Sequence, residues 1–116
     1  IYGSSTLVGN IDADGDVDVD SSVVAGGVES SGNDITVTGG SDIYGDVVAQ
    51  SGTNIDIDGG SVVYGDVVGY DGDVDLDSVT VTGHVYADSG DFVCNNVTVG
   101  PSEDGCGYSP RDPGDY

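Results

Sequence analysis

The stretch from Asp42 to Ser61, DIYGDVVAQSGTNIDIDGGS, is followed directly by a near copy, VVYGDVVGYDGDVDLDS, and this repetition constrains the fold more than any other feature. A fixed period of this size decides an architecture before any local propensity does. Five copies align, starting at Leu7, Val24, Ile43, Val63 and Val81, at spacings of 17 to 20 residues. Within each copy the apolar residues alternate, which is the period of a β-strand and not of a helix.

Reading down the copies, a first strand supplies Leu7, Val24, Ile43, Val63 and Val81, then Ile11, Val28, Val47, Val67 and Val85. A second supplies Val17, Ile35, Ile55, Val74 and Phe92, then Val19, Val37, Ile57, Leu76 and Cys94. Between the two apolar positions of the first strand runs an unbroken glycine column, Gly9, Gly26, Gly45, Gly65 and Gly83. Alternation points it inward, where the wall lies too close to the axis for a side chain or the backbone bends sharply. A second column, Gly15, Gly32, Gly52, Gly72 and Gly90, reads as the turn between strands. One unit of this length cannot bury its own apolar face, but stacked units share a core. The expectation is an all-β chain, a single-stranded parallel β-helix (β-solenoid) of about five rungs with roughly 18 residues per rung. Residues 1–100 form the repeat domain. Residues 101–116, GPSEDGCGYSPRDPGDY from Gly100 onward, have lost the repeat and form a Pro/Gly-rich tail expected to cap one end.

The chain of 116 residues carries 22 Asp plus Glu against one basic residue, for a formal net charge of -21. Almost no charge can be paired internally, so the surface repels itself in dilute buffer, and salt relieves this. The composition suits a saline-adapted organism, or a protein that gathers cations. With nothing to neutralise phosphates, nucleic-acid binding is excluded, and anionic membrane surfaces are disfavoured. No stretch approaches the roughly 20 apolar residues that span a bilayer, and no signal-peptide pattern is present. An opening at Ile1 without methionine reads as a processed form or a piece of a longer protein. The first six residues read as a lead-in strand or the broken edge of a preceding rung, with IYG at 1–3 resembling IYG at 43–45.

Cys94 falls in an inward column and Cys106 in the tail, so a disulfide between them would pin the tail and place the protein outside the reducing cytosol. Asn96-Val97-Thr98 is a sequon, compatible with glycosylation of Asn96. Outward columns on the second strand, Asp18, Thr36, Asp56, Asp75 and Asp20, Thr38, Asp58, Asp77, stack like charges at rung spacing. Such a ladder invites a bridging calcium ion at Asp18, Asp20, Asp56, Asp58, Asp75 and Asp77, against the plainer reading of a solvated acidic face. NIDADGDVDVD at residues 10–20 has the alternating acids of an EF-hand loop, but Ser21 stands where a bidentate acid is wanted and no helical pattern follows. The TVT triplets at 36–38 and 80–82 lie in different registers, which disfavours an ice-binding face. His84 stands alone in an outward column and cannot build a zinc site. Every connection is short, leaving no loops to wall a substrate cleft, so the chain is not expected to be an enzyme and no cofactor besides calcium is suggested.

The units YGDVVAQSG, YGDVVGYDG and GNIDADGDVDVDS resemble bactofilins, the polymer-forming cytoskeletal β-helix family, in particular the acidic bactofilin-like repeats of halophilic archaea. The resemblance covers about residues 7 to 100. It implies a short parallel β-helix that stacks end to end into nonpolar filaments through hydrophobic terminal rungs, with no catalytic residues. A pinned tail departs from that pattern by blocking one end, and a disulfide does not suit a cytoplasmic scaffold. Both favour an extracellular or cell-surface version over a cytoplasmic one. Tyr44, Tyr64 and Tyr86, with Val48 and Val68, form an apolar stripe expected to be a lateral contact between protomers. The function expected is that of a self-assembling homopolymer, the alternative being a calcium-binding stalk or adhesin module of a larger surface protein.

Overall fold

The computed structural model describes residues 1–50, 53–70, 72–87, 92–100 and 112–116. Each rung consists of three strands. The first holds β1 (Thr6–Leu7), β2 (Ile11–Ala13) and β3 (Val17–Asp20); the second β4 (Val23–Val24), β5 (Val28–Ser30) and β6 (Ile35–Thr38). The third holds β7 (Asp42–Ile43), β8 (Val47–Ala49) and β9 (Ile55–Ile57); the fourth β10 (Val62–Val63), β11 (Val67–Gly69) and β12 (Val74–Asp77). The fifth holds β13 (Thr80–Val81), β14 (Val85–Tyr86) and β15 (Phe92–Asn95), after which β16 (Thr98–Val99) begins another turn. The strands stack into three parallel sheets: A, β1-β4-β7-β10-β13-β16; B, β2-β5-β8-β11-β14; and C, β3-β6-β9-β12-β15. The fold is a β-solenoid of about five turns.

The inward columns are those expected. Val24, Ile43, Val63 and Val81 in sheet A, Val28, Val47, Val67 and Val85 in sheet B, and Val19, Val37, Ile57 and Leu76 in sheet C are all essentially inaccessible. Each such side chain contributes about 1.5–3 kcal/mol by leaving water. The expected two strands per rung are three, because the first is broken at the glycine column into separate strands on separate faces.

That break changes the meaning of the glycines. They do not point at the axis. A Cβ on Gly45, Gly65 or Gly83 would lie 2.6 Å from a backbone atom of the rung above, so the missing side chain points along the stack and not into the core. Only glycine lets these A-to-B corners approach so closely.

The corner from sheet C to sheet A uses positive φ instead. One left-handed residue suffices at Ser21, Ser78 and Asn96, whereas Gly39-Gly40 and Gly59-Gly60 supply two. The glycine pairs explain part of the variable repeat length. Behind these corners Ser22, Ser41 and Ser61 are buried, with Ser22 N–H donating to Ser41 Oγ and Ser41 N–H to Ser61 Oγ, each at 3.1 Å. In the next two rungs Val79 and Val97 follow their corner residues and are buried in turn, so the seryl hydrogen bonds give way to apolar packing. No buried side-chain oxygen or nitrogen among the described residues lacks a partner.

The N-terminal residues are the edge of a preceding rung, as read from the sequence, but not in the register that the likeness of the IYG triplets suggests. Ile1 N–H donates to Asp18 O, and Asp20 N–H donates to Ile1 O at 2.8 Å, which is the pattern of a parallel neighbour of Val19. Gly3 and Ser4 then take positive φ like Gly39-Gly40, and Ser5 Oγ donates to Tyr2 O as Ser41 Oγ does to Thr38 O. Residues 1–5 therefore match 37–41 and not 43–45: they close a rung above the first. The resemblance of the two IYG triplets is coincidental, since one is a strand end and corner and the other begins a corner.

Candidate functional site

With so short connections, what the molecule presents is three outer walls, and each has its own chemistry. The wall of sheet C is acidic. Parallel register places Asp18 beside Thr36, Thr36 beside Asp56 and Asp56 beside Asp75, so the threonines divide the proposed calcium residues into an upper pair and a lower four. The carboxyl of Asp56 is pushed above the usual range, first by partial burial and then by the charges of Asp75, Asp58 and Asp77. Higher on the wall Asp18 accepts a hydrogen bond from Tyr2 Oη at 3.1 Å, which raises the Tyr2 phenol. Among the described residues, no three His, Cys, Asp or Glu side chains are gathered closely enough to hold a metal ion. The EF-hand-like segment is absorbed into this wall: its second half is β3, with Val17 and Val19 inside and Asp18 outside.

Several acids have a different employment, which reading the sequence as a charged surface missed. Asn10 Oδ1 accepts from Gly27 N–H at 2.8 Å, Asp46 Oδ1 from Asp66 N–H at 2.7 Å and Asp66 Oδ1 from His84 N–H at 2.8 Å. At the next corner Asp34 Oδ1 accepts from Asn54 N–H at 3.2 Å and Asn54 Oδ1 from Asp73 N–H at 2.9 Å. These side chains tie each rung to the one below. The legible signal was the exchange of Asn for Asp within one column, since the two share the acceptor oxygen and not the charge.

The tyrosine stripe is split between two walls. On sheet A, Tyr44 and Tyr64 stack with centroids 4.7 Å apart and planes 4° from parallel, while remaining 52% and 44% exposed. Tyr86 lies on sheet B, in register with Val68 and Val48. Val68 faces outward yet is 0% exposed, and Tyr86 is 8% exposed. The chain's own end lies there: a 3-10 turn at Pro113–Asp115, capped by Asp112 accepting from Gly114 N–H, delivers Tyr116. The Tyr116 ring meets Tyr86 edge-on at 5.4 Å, and its hydroxyl donates to Asp46 Oδ2 two rungs above. Burial and the Asp46 carboxylate hold that phenol far above the usual range. The described end of the tail is thus a strap on the side wall, and Tyr86 leaves the expected protomer contact. Above the strap a groove of about 580 Å³ continues over Val48, Glu29 and Asp12 toward the first rung.

Cys94 is disulfide-bonded, while Cys106 lies outside the described residues. Asn96 is exposed at its left-handed corner. His84 packs edge-on toward Tyr86 with centroids 6.4 Å apart. No helix among the described residues is long and apolar enough to cross a membrane. Compared with known proteins, the chain matches no family model, no curated protein and no solved structure.

Proposed function

We propose that this chain is a structural subunit, a self-assembling β-solenoid whose copies stack end to end into a filament or cell-surface fibre in saline surroundings. The observation that carries the reading is the uniform register of the rungs. In all three sheets the strands pair in parallel with their counterparts one turn on, apolar over apolar, as Val24, Ile43, Val63 and Val81 do in sheet A. A rung built in this way offers another copy's rung the same pairing and burial. Ile1, bonded in rung register above β3, is one instance of such addition within the chain. The net charge of -21 opposes association until salt screens it. The disulfide at Cys94 supports a place outside the reducing cytosol. The test is electron microscopy with sedimentation in molar salt: filaments repeating near the height of a five-rung rod, about 24 Å, are expected. Dispersed particles at every salt concentration would refute the reading.

A second reading, a calcium-binding stalk or adhesin module, is favoured by the raised Asp56 carboxyl among Asp58, Asp75 and Asp77. A divalent cation would relieve that repulsion. Calcium should then raise the melting temperature of the protein but not of an Asp56→Asn, Asp75→Asn variant.

A further inference from the structure

Among the described residues, sheet A has the one wall that is both exposed and nearly uncharged. Its outward positions flank the inward column on either side: Thr6, Val23, Asp42, Val62, Thr80 and Thr98 before it, Val8, Ala25, Tyr44, Tyr64 and Thr82 after it. Asp42 is the only carboxylate among them. In a chain of net charge -21, this wall, alone among those of the described residues, can meet another copy without opposing rows of acids.

The second of those columns is graded in size. Tyr44 and Tyr64, in the third and fourth rungs, stand out as a stack of two rings at almost the rung spacing. Ala25, in the second rung, leaves the upper face of Tyr44 covered by no ring of the described residues, and Val8, in the first, is 85% exposed. A two-fold axis perpendicular to the solenoid, passing between the second and third rungs, brings large against small: Tyr44 of one copy lies level with Ala25 of the other, and Tyr64 with Val8. A surface with its bulk at one end and its hollow at the other complements itself in that antiparallel arrangement.

We propose that the wall of sheet A is a docking surface for a second copy of this chain, joined antiparallel about a two-fold axis with Tyr44 seated over Ala25 of the partner copy. Four rungs of overlap, about 19 Å by 15 Å, bury roughly 300 Å² per copy if flat and more where the rings interdigitate. That is below the ~800 Å² per partner of a stable isolated complex, so the dimer is weak, concentration-dependent and favoured by salt. Along any longer assembly the same contact repeats and gains by multivalency. The contact does not depend on end-to-end stacking.

Sedimentation equilibrium in molar potassium chloride, over a range of protein concentration, tests it. The protein is expected to form a dimer whose dissociation constant rises about tenfold or more in Tyr64→Ser and in Ala25→Asp, both exposed positions at which circular dichroism should report an intact fold. In a mixture of Tyr44→Cys and Ala25→Cys chains, oxidation is expected to cross-link one chain of each kind. A protein that stays monomeric throughout overturns the proposal. So does association, of any order, that both substitutions leave unchanged; open-ended polymers of that kind would support end stacking alone. A dimer lost in both variants upholds the sheet A contact even where no filament forms.

Discussion

The walls of sheets A and B begin from similar material and end differently. Both carry valine and tyrosine at outward positions of the third to fifth rungs, and both follow the same strand alternation. On sheet A, Tyr44 and Tyr64 stack on each other and stay exposed, whereas on sheet B the ring of Tyr116 meets Tyr86, and both Tyr86 and Val68 are buried. An outward apolar position is therefore neither core nor interface by virtue of its pattern. Its fate depends on whether something distant in sequence reaches it.

The corner that separates the two walls is the place to break the comparison altogether. Gly65→Ala would drive a methyl into the carbonyl of Gly45, a backbone atom held by its own rung, and is expected to cost about 3 kcal/mol or more in denaturant unfolding. A neutral outcome would mean that the rungs separate more easily than their stacking implies.

Next in size is a matched pair. Tyr86→Ala removes a buried ring from beneath the strap and should cost about 3 kcal/mol, while Tyr64→Ala removes one member of an exposed stack and should cost about 1 kcal/mol or less. Urea titrations of the two variants compare the walls directly. Equal losses would show that the strap adds nothing to the burial of sheet B.

Alkaline pH sharpens the same contrast. Because the folded state holds the Tyr116 proton above its ordinary value of 10, the unfolded chain ionises first and stability falls as pH rises past 10. Tyr116→Phe should remove that part of the decline while leaving the Tyr44 and Tyr64 stack untouched. A variant that loses stability above pH 10 as steeply as the parent would count against the strap's hydrogen bond to Asp46.

The acidic wall of sheet C is the control, and its effect is the smallest. Asp56 binds its proton more tightly when folded, so its contribution improves as pH falls through the region above 3.8, and its ionised form is unfavourable at neutral pH. Asp56→Asn should raise the melting temperature slightly at pH 7 in low salt, with the gain fading as the pH drops or salt is added. A loss of stability instead would identify a role for that carboxylate that the repulsion does not include.

How much of this was legible follows from how far apart the participating residues lie. The rungs, the inward columns and the turn glycines are written five times over, and alternation along a strand is a property of each segment by itself, so the sequence determined the solenoid and its core. The sorting of walls came only with the tertiary structure. Three strands per rung, the corner glycines facing the rung above, and the Asx side chains that bind the next rung's amides are relations between residues about one turn apart, set once the turn closes. Ile1 found Val19 instead of repeating Ile43 because hydrogen bonding across rungs, and not the likeness of two triplets, sets register. The strap is the extreme case. Tyr116 and Asp46 are 70 residues apart, and no periodicity in a tail that has lost the repeat could say which wall it would cover.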